Sequence, residues 1–159
     1  MKEKVIFSKY SLIVTILSIL IIIGVALYIY RRSEDEAIVW ILLGVTVIWG
    51  FLTLFYAPTT IELTDNSLQV NRSIRVKEIP LEDIKDVKLS PPTMAEMRLC
   101  GSGGFFGYWG WYSENDLGHY FAYYGKASDC FLVTLKNGSK YMLGCNNAPG
   151  IVKAIKQKL

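Results

Sequence analysis

The chain has 159 residues, 52% of them hydrophobic and 13% aromatic, and its 17 Lys and Arg against 14 Asp and Glu leave a net charge of +3. So slight a surplus, spread along the chain, excludes the concentrated basic face that nucleic-acid binding requires. One histidine, His119, and three widely spaced cysteines, Cys100, Cys130 and Cys145, offer neither a zinc site with C-x-x-C spacing nor a disulfide framework; free thiols in a reducing compartment are the simpler expectation.

Two apolar stretches, 10–30 and 37–56, stand head to tail, with 21 and 20 residues and no Asp, Glu, Lys, Arg or His in either. A helix crossing the hydrocarbon core of a bilayer needs about 20 such residues at ~1.5 Å of rise each. Residues 1–57 are therefore predicted to form a transmembrane helical hairpin, integral to the bilayer, with 58–159 as one water-exposed domain. A cleaved leader is excluded, because the first run is too long, lacks a small-x-small site and is followed directly by a second span. The six-residue link puts both chain ends on one side. Lys2, Lys4, Lys9, Arg72 and Arg75 outnumber Arg31 and Arg32 of the link, which places both termini and the domain in the cytoplasm. With no intramembrane charge, an ion pathway or proton relay is not expected. Ser11, Thr15, Ser18, Thr46 and Thr53 are the hydroxyl residues of the spans besides tyrosines, and Thr46 with Gly50 offers a small surface for helix packing.

From Thr59 the pattern changes to period two, with Ile61/Leu63, Leu68/Val70, Ile74/Val76 and Val87/Leu89 as inward faces of strands. Asp65-Asn66 turns strand 59–64 into 67–72, and Pro91-Pro92 ends a strand at 84–90. A strand at 119–124 is followed by a hairpin of 130–136 and 139–144 around Asn137-Gly138. In the tail, Asn146-Asn147 and Pro149 start an amphipathic helix whose apolar residues are Ile151, Val152, Ile155 and Leu159. Seven strands and one closing helix predict an antiparallel sandwich or partly open barrel.

Between Cys100 and Gly125 lie ten of the 21 aromatic residues and seven of the 13 glycines. No Lys-Ser/Thr follows the glycines as a phosphate loop requires, and no Lys or Arg interleaves the aromatics as nucleic-acid stacking requires. Two readings remain: a tight loop whose aromatics complete the core, or an amphipathic aromatic surface for headgroups or another membrane protein. The candidate interaction surface is Phe105, Phe106, Tyr108, Trp109, Trp111 and Tyr112. Trp109 and Trp111 are expected on opposite faces, one in the core and one available.

The run from Met97 to Tyr112 (MRLCGSGGFFGYWGWY) also resembles the glycine-rich core motif of a bacterial pleckstrin-homology-like (PH-like) domain family, whose members often follow a pair of membrane spans. The likeness extends to Thr60-Ile61-Glu62-Leu63, to Ile79-Pro80-Leu81-Glu82-Asp83-Ile84 and to the terminal strands and helix. The resemblance implies a seven-stranded split barrel capped by a carboxy-terminal helix. Where the family tends to have a Ser-Pro-Glu-like turn before that helix, this chain has Cys145-Asn146-Asn147-Ala148-Pro149. The resemblance carries over no catalytic residue, cofactor or metal. The phosphoinositide site of eukaryotic relatives needs a basic cluster on the first strands, for which only Arg72, Arg75 and Lys77 are candidate lipid headgroup contacts.

The function expected is that of a non-enzymatic, membrane-anchored interaction module, an accessory or assembly factor for another membrane protein, with an anionic-lipid sensor as the alternative. An enzyme ranks last, since His119 has no partner in sequence and the pairs Glu82/Asp83 and Glu114/Asp116 sit in turn contexts. Partner identity and oligomeric state are not encoded in any recognisable motif.

Overall fold

The computed structural model describes residues 1–32, 36–93 and 95–159. Half of the predicted six-residue link between the apolar stretches, Ser33-Glu34-Asp35, lies outside them. A short strand β1 (Lys2–Lys4) precedes two helices, α1 (Lys9–Arg32) and α2 (Glu36–Tyr56). Nine strands follow: β2 (Pro58–Leu63), β3 (Ser67–Arg72), β4 (Val76–Pro80), β5 (Ile84–Leu89), β6 (Met97–Gly104), β7 (Gly107–Glu114), β8 (Gly118–Tyr124), β9 (Cys130–Leu135) and β10 (Lys140–Gly144). The chain closes with α3 (Ala148–Lys156).

Both long helices are apolar nearly all round, so neither has a polar face to give to water. Among the described residues, α1 with its 24 residues is the one helix long and apolar enough to cross a membrane, while the apolar stretch of α2 is the shorter Trp40–Tyr56. The two helices touch each other, and Ile13, Ile16, Leu17, Val47, Ile48 and Phe51 are each more than half exposed.

The strands form a four-stranded sheet, β1-β2-β3-β4, and a six-stranded sheet, β5-β9-β10-β8-β7-β6. All pairings are antiparallel except β8 with β10. Alternation in β2 and β3 sends Ile61, Leu63, Leu68 and Val70 inward against Val87, Phe131, Val133 and Leu143 of the larger sheet. Helix α3 completes this core with Ile151, Val152 and Ile155, its start capped by Asn147, whose Oδ1 accepts from the Gly150 amide at 3.2 Å. The larger sheet is covered on its other face too, where Tyr112, Tyr120, Ala122, Tyr124, Leu132 and Met142 form a second, smaller core.

The sheets are not closed into a barrel, and the strand count differs from the seven expected. Six of the predicted strands occur within two residues of their expected bounds, and the one read from Ile74/Val76 starts at Val76. The additions are β1 and the pair β6–β7. The glycine-aromatic segment is a long hairpin rather than a loop. β7 carries aromatic side chains on both faces and β6 runs into glycines, which removes the polar-apolar alternation by which strands are recognised.

Candidate functional site

The tip of the β6–β7 hairpin rests on the amino end of α1. Gly104 and Gly107 close the register, with Phe105 and Phe106 between them and Phe106 in the left-handed region at φ 49°. Further back, Gly101 faces Gly110, at φ 129° and 122°, and a Cβ on either would run into the backbone of the opposite strand. Only glycine fits such a pair. Ser11 and Thr15, four apart and hence on one face of α1, meet the tip. The Ser11 hydroxyl donates to the Gly104 carbonyl at 2.5 Å and accepts from the Gly107 amide at 3.0 Å, while Thr15 Oγ1 accepts from the Phe106 amide at 2.9 Å. Ser102 Oγ donates to the carbonyls of Phe105 (2.7 Å) and Gly107 (3.0 Å), and Trp109 Nε1 also donates to Phe105 (3.3 Å). Buried backbone groups need such partners, and here side chains supply them.

The aromatic residues divide by face. Tyr108 stacks on Tyr124 at 4.8 Å and Tyr112 on Tyr120 at 6.2 Å, both on the side of the second core. Tyr112 is 3% exposed, and its hydroxyl donates to the Ser102 carbonyl. It is therefore a core residue and offers nothing to a partner. Trp109 and Trp111 do not take opposite faces: residues two apart on a strand share one. Trp109 stacks on Tyr56 at the end of α2 (5.4 Å), and Trp111 sits edge-on to Phe121 (5.3 Å). Trp111 is 51% exposed and Phe106 41%, whereas Phe105 and Trp109 are half-buried.

The basic candidates do not form a single cluster. Arg72 lies over the rings of Tyr56 (6.0 Å) and Tyr123 (5.5 Å), and Arg75 over Phe55 (5.8 Å), so both abut the last turn of α2. Arg75 is in the turn before β4, between the exposed Ile74 and Val76. Lys77 lies elsewhere, over Tyr141 at 5.4 Å.

Across the second core, the Glu96 carboxylate accepts from the hydroxyls of Tyr120 (2.6 Å) and Tyr124 (2.7 Å). Burial holds this carboxyl above its ordinary value, opposed by those two hydrogen bonds. Burial also raises the hydroxyls of Tyr120 and Tyr124. Glu114 accepts at Oε1 from Thr93, and its buried Oε2 has no hydrogen-bond partner among the described residues. Cys130 and Cys145 are buried free thiols, and burial pushes Cys145 up to about 12; Cys100 is exposed on β6. Among the described residues no group of three or more His, Cys, Asp or Glu could hold a metal, and His119 is an exposed residue of β8. The sequence had shown Ser11 and Thr15 as hydroxyls in an apolar helix, but their partner was in a segment still read as a loop.

Two open sheets, a glycine-aromatic hairpin and a capping carboxy-terminal helix define a PH-like domain. The chain belongs to the family described as Bacterial PH domain, whose model matches residues 59–159. Neither curated proteins nor solved structures gave a match. PH domains are in general non-enzymatic interaction modules, and the helix α1 ahead of this one is a candidate membrane anchor.

Proposed function

We propose that this chain is a membrane-anchored PH-like interaction module, residues 1–57 forming a two-span hairpin and 58–159 the domain, held at the cytoplasmic face as an accessory or assembly factor for another membrane protein. One observation carries the reading: the hairpin tip is tied to α1 at Ser11 and Thr15. Thr15 lies five residues into the apolar stretch, about 7 Å below its start at ~1.5 Å per residue. Non-helical backbone is tolerated at that depth only where its polar groups are satisfied by protein. The Gly104, Phe105 and Gly107 carbonyls and the Phe106 and Gly107 amides all are. Phe106 and Trp111 then point apolar surface to the lipid or to a neighbour within it, as aromatic residues do at membrane interfaces.

The test is a photo-crosslinking residue at Phe106 or Trp111, activated in native membranes of the cell of origin. A discrete membrane-protein adduct, absent with the same residue at the exposed Asn137 turn, is expected. Labelling of soluble proteins, or equal labelling from both positions, would refute the reading. The stacking of Arg72 and Arg75 on Tyr56 and Phe55 favours a second role, contact with anionic headgroups at the membrane end of α2.

A further inference from the structure

Beside the tied hairpin lies an open groove of about 660 Å³. Val14 of α1 and Trp49 and Leu52 of α2 form one wall; Trp109, Trp111 and Phe121 of the sheet form the other. Arg98 of β6 reaches into the same groove. Its guanidinium lies against Gly103, where a Cβ would run into Nη1. Arg98 is exposed and has no carboxylate partner among the described residues. The groove thus combines an apolar trough at the level of the apolar helices with one unpaired cation.

We propose that this groove seats one anionic phospholipid, an acyl chain lying along the tryptophans and the headgroup phosphate taken by Arg98. A guanidinium meets a phosphate in bidentate geometry, and the net negative charge of the lipid supplies what the groove lacks. Charge argues for a lipid over an apolar helix face: a cation with no carboxylate partner among the described residues, beside an apolar wall, matches an anionic head on an apolar tail. Arg72 and Arg75 do not line the groove, although Arg72 lies over Tyr56, which does, and the inference rests on the membrane reading above.

The experiment uses the full chain with Trp40→Phe, which removes a tryptophan remote from the groove, in phosphatidylcholine vesicles. A minor fraction of brominated phosphatidylglycerol or of brominated phosphatidylcholine is added, and tryptophan quenching is compared. One basic contact predicts about fivefold enrichment of the anionic lipid at the groove, hence stronger quenching by brominated phosphatidylglycerol. Arg98→Gln should equalise the two lipids and Arg98→Lys should keep part of the preference. Equal quenching in the parent chain, or a preference that survives Arg98→Gln, overturns the proposal. So does the absence of quenching by either lipid while a crosslinker at Trp111 captures a protein, which would make the groove a protein seat. Failure of the chain to sediment with vesicles would instead refute the membrane reading on which the proposal depends.

Discussion

Ser11→Ala removes a single hydroxyl that is 1% exposed and touches the hairpin tip at two places. The Gly107 amide loses its acceptor and the Gly104 carbonyl loses a donor, and both glycines are buried. A buried polar group left without a partner costs about 1–3 kcal/mol. The tip should therefore open locally about 5- to 150-fold more often. Hydrogen exchange of the full chain in detergent micelles reads this directly, as faster exchange of the Gly107 amide with strands β9 and β10 unchanged. Thr15→Val keeps the shape of the side chain and should release the Phe106 amide instead, because Thr15 Oγ1 is the acceptor there. If Ser11→Ala leaves Gly107 as protected as before, the tie is not what holds the hairpin to α1. Acceleration of the whole sheet to the same degree would equally refute the local account.

In thermal unfolding of the full chain, Tyr112→Ala should cost about 3–5 kcal/mol, as truncation of a buried aromatic does, whereas Trp111→Ala, 51% exposed, should cost about 1 kcal/mol or less; equal losses would contradict the division of the hairpin into two faces. Because the folded-state value of Glu96 is raised, its contribution to stability is present below the ordinary carboxylate value and is lost as pH rises through the folded one. Glu96→Gln, which keeps an acceptor for the tyrosines, should gain on the parent as pH rises from about 4.5, and a difference that stays flat with pH would sink the idea. The chain should stay with membranes through carbonate or high-salt washing, and release by either would count against the two-span hairpin. A topology reporter fused after Leu159 should report the cytoplasm; an external signal would reverse the orientation.

What could be read in the amino acids, and what could not, follows from how each element buries its surface. β2, β3, β5 and β9 carry apolar residues on the face turned to the main core, and Asn137-Gly138 marks a turn that needs a positive φ, found at Gly138 at 85°. Helix α3 was legible from its cap and its apolar period. The β6–β7 hairpin was not, because Tyr108 to Tyr112 puts aromatic side chains or glycine at every position, and the register depends on glycines that no apolar pattern reports. β1 was missed for the opposite reason: Lys2-Glu3-Lys4 has no apolar residue at all, and its place comes from the edge of β2. The family motif marked the glycine-aromatic segment as a unit, but its contact with Ser11 and Thr15 joins residues about ninety positions apart.

The pairing of β1 with β2 sets an order of events in time. Lys2 faces Glu62 and Lys4 faces Thr60, with both long helices in the chain between them. β1 leaves the ribosome before β2 and cannot make this pairing until α1 and α2 have both been made and β2 has followed. Closing a loop of that length costs little more entropy than a shorter one, but it must wait. Until then the edge of β1 is open to any other strand, the condition under which nascent sheets mispair. The charged residues of β1 keep that segment soluble while it waits, and the Lys2–Glu62 ion pair, 3.2 Å, then selects its register. The short strand thus fastens the two helices to the domain in a step that cannot precede the synthesis of β2.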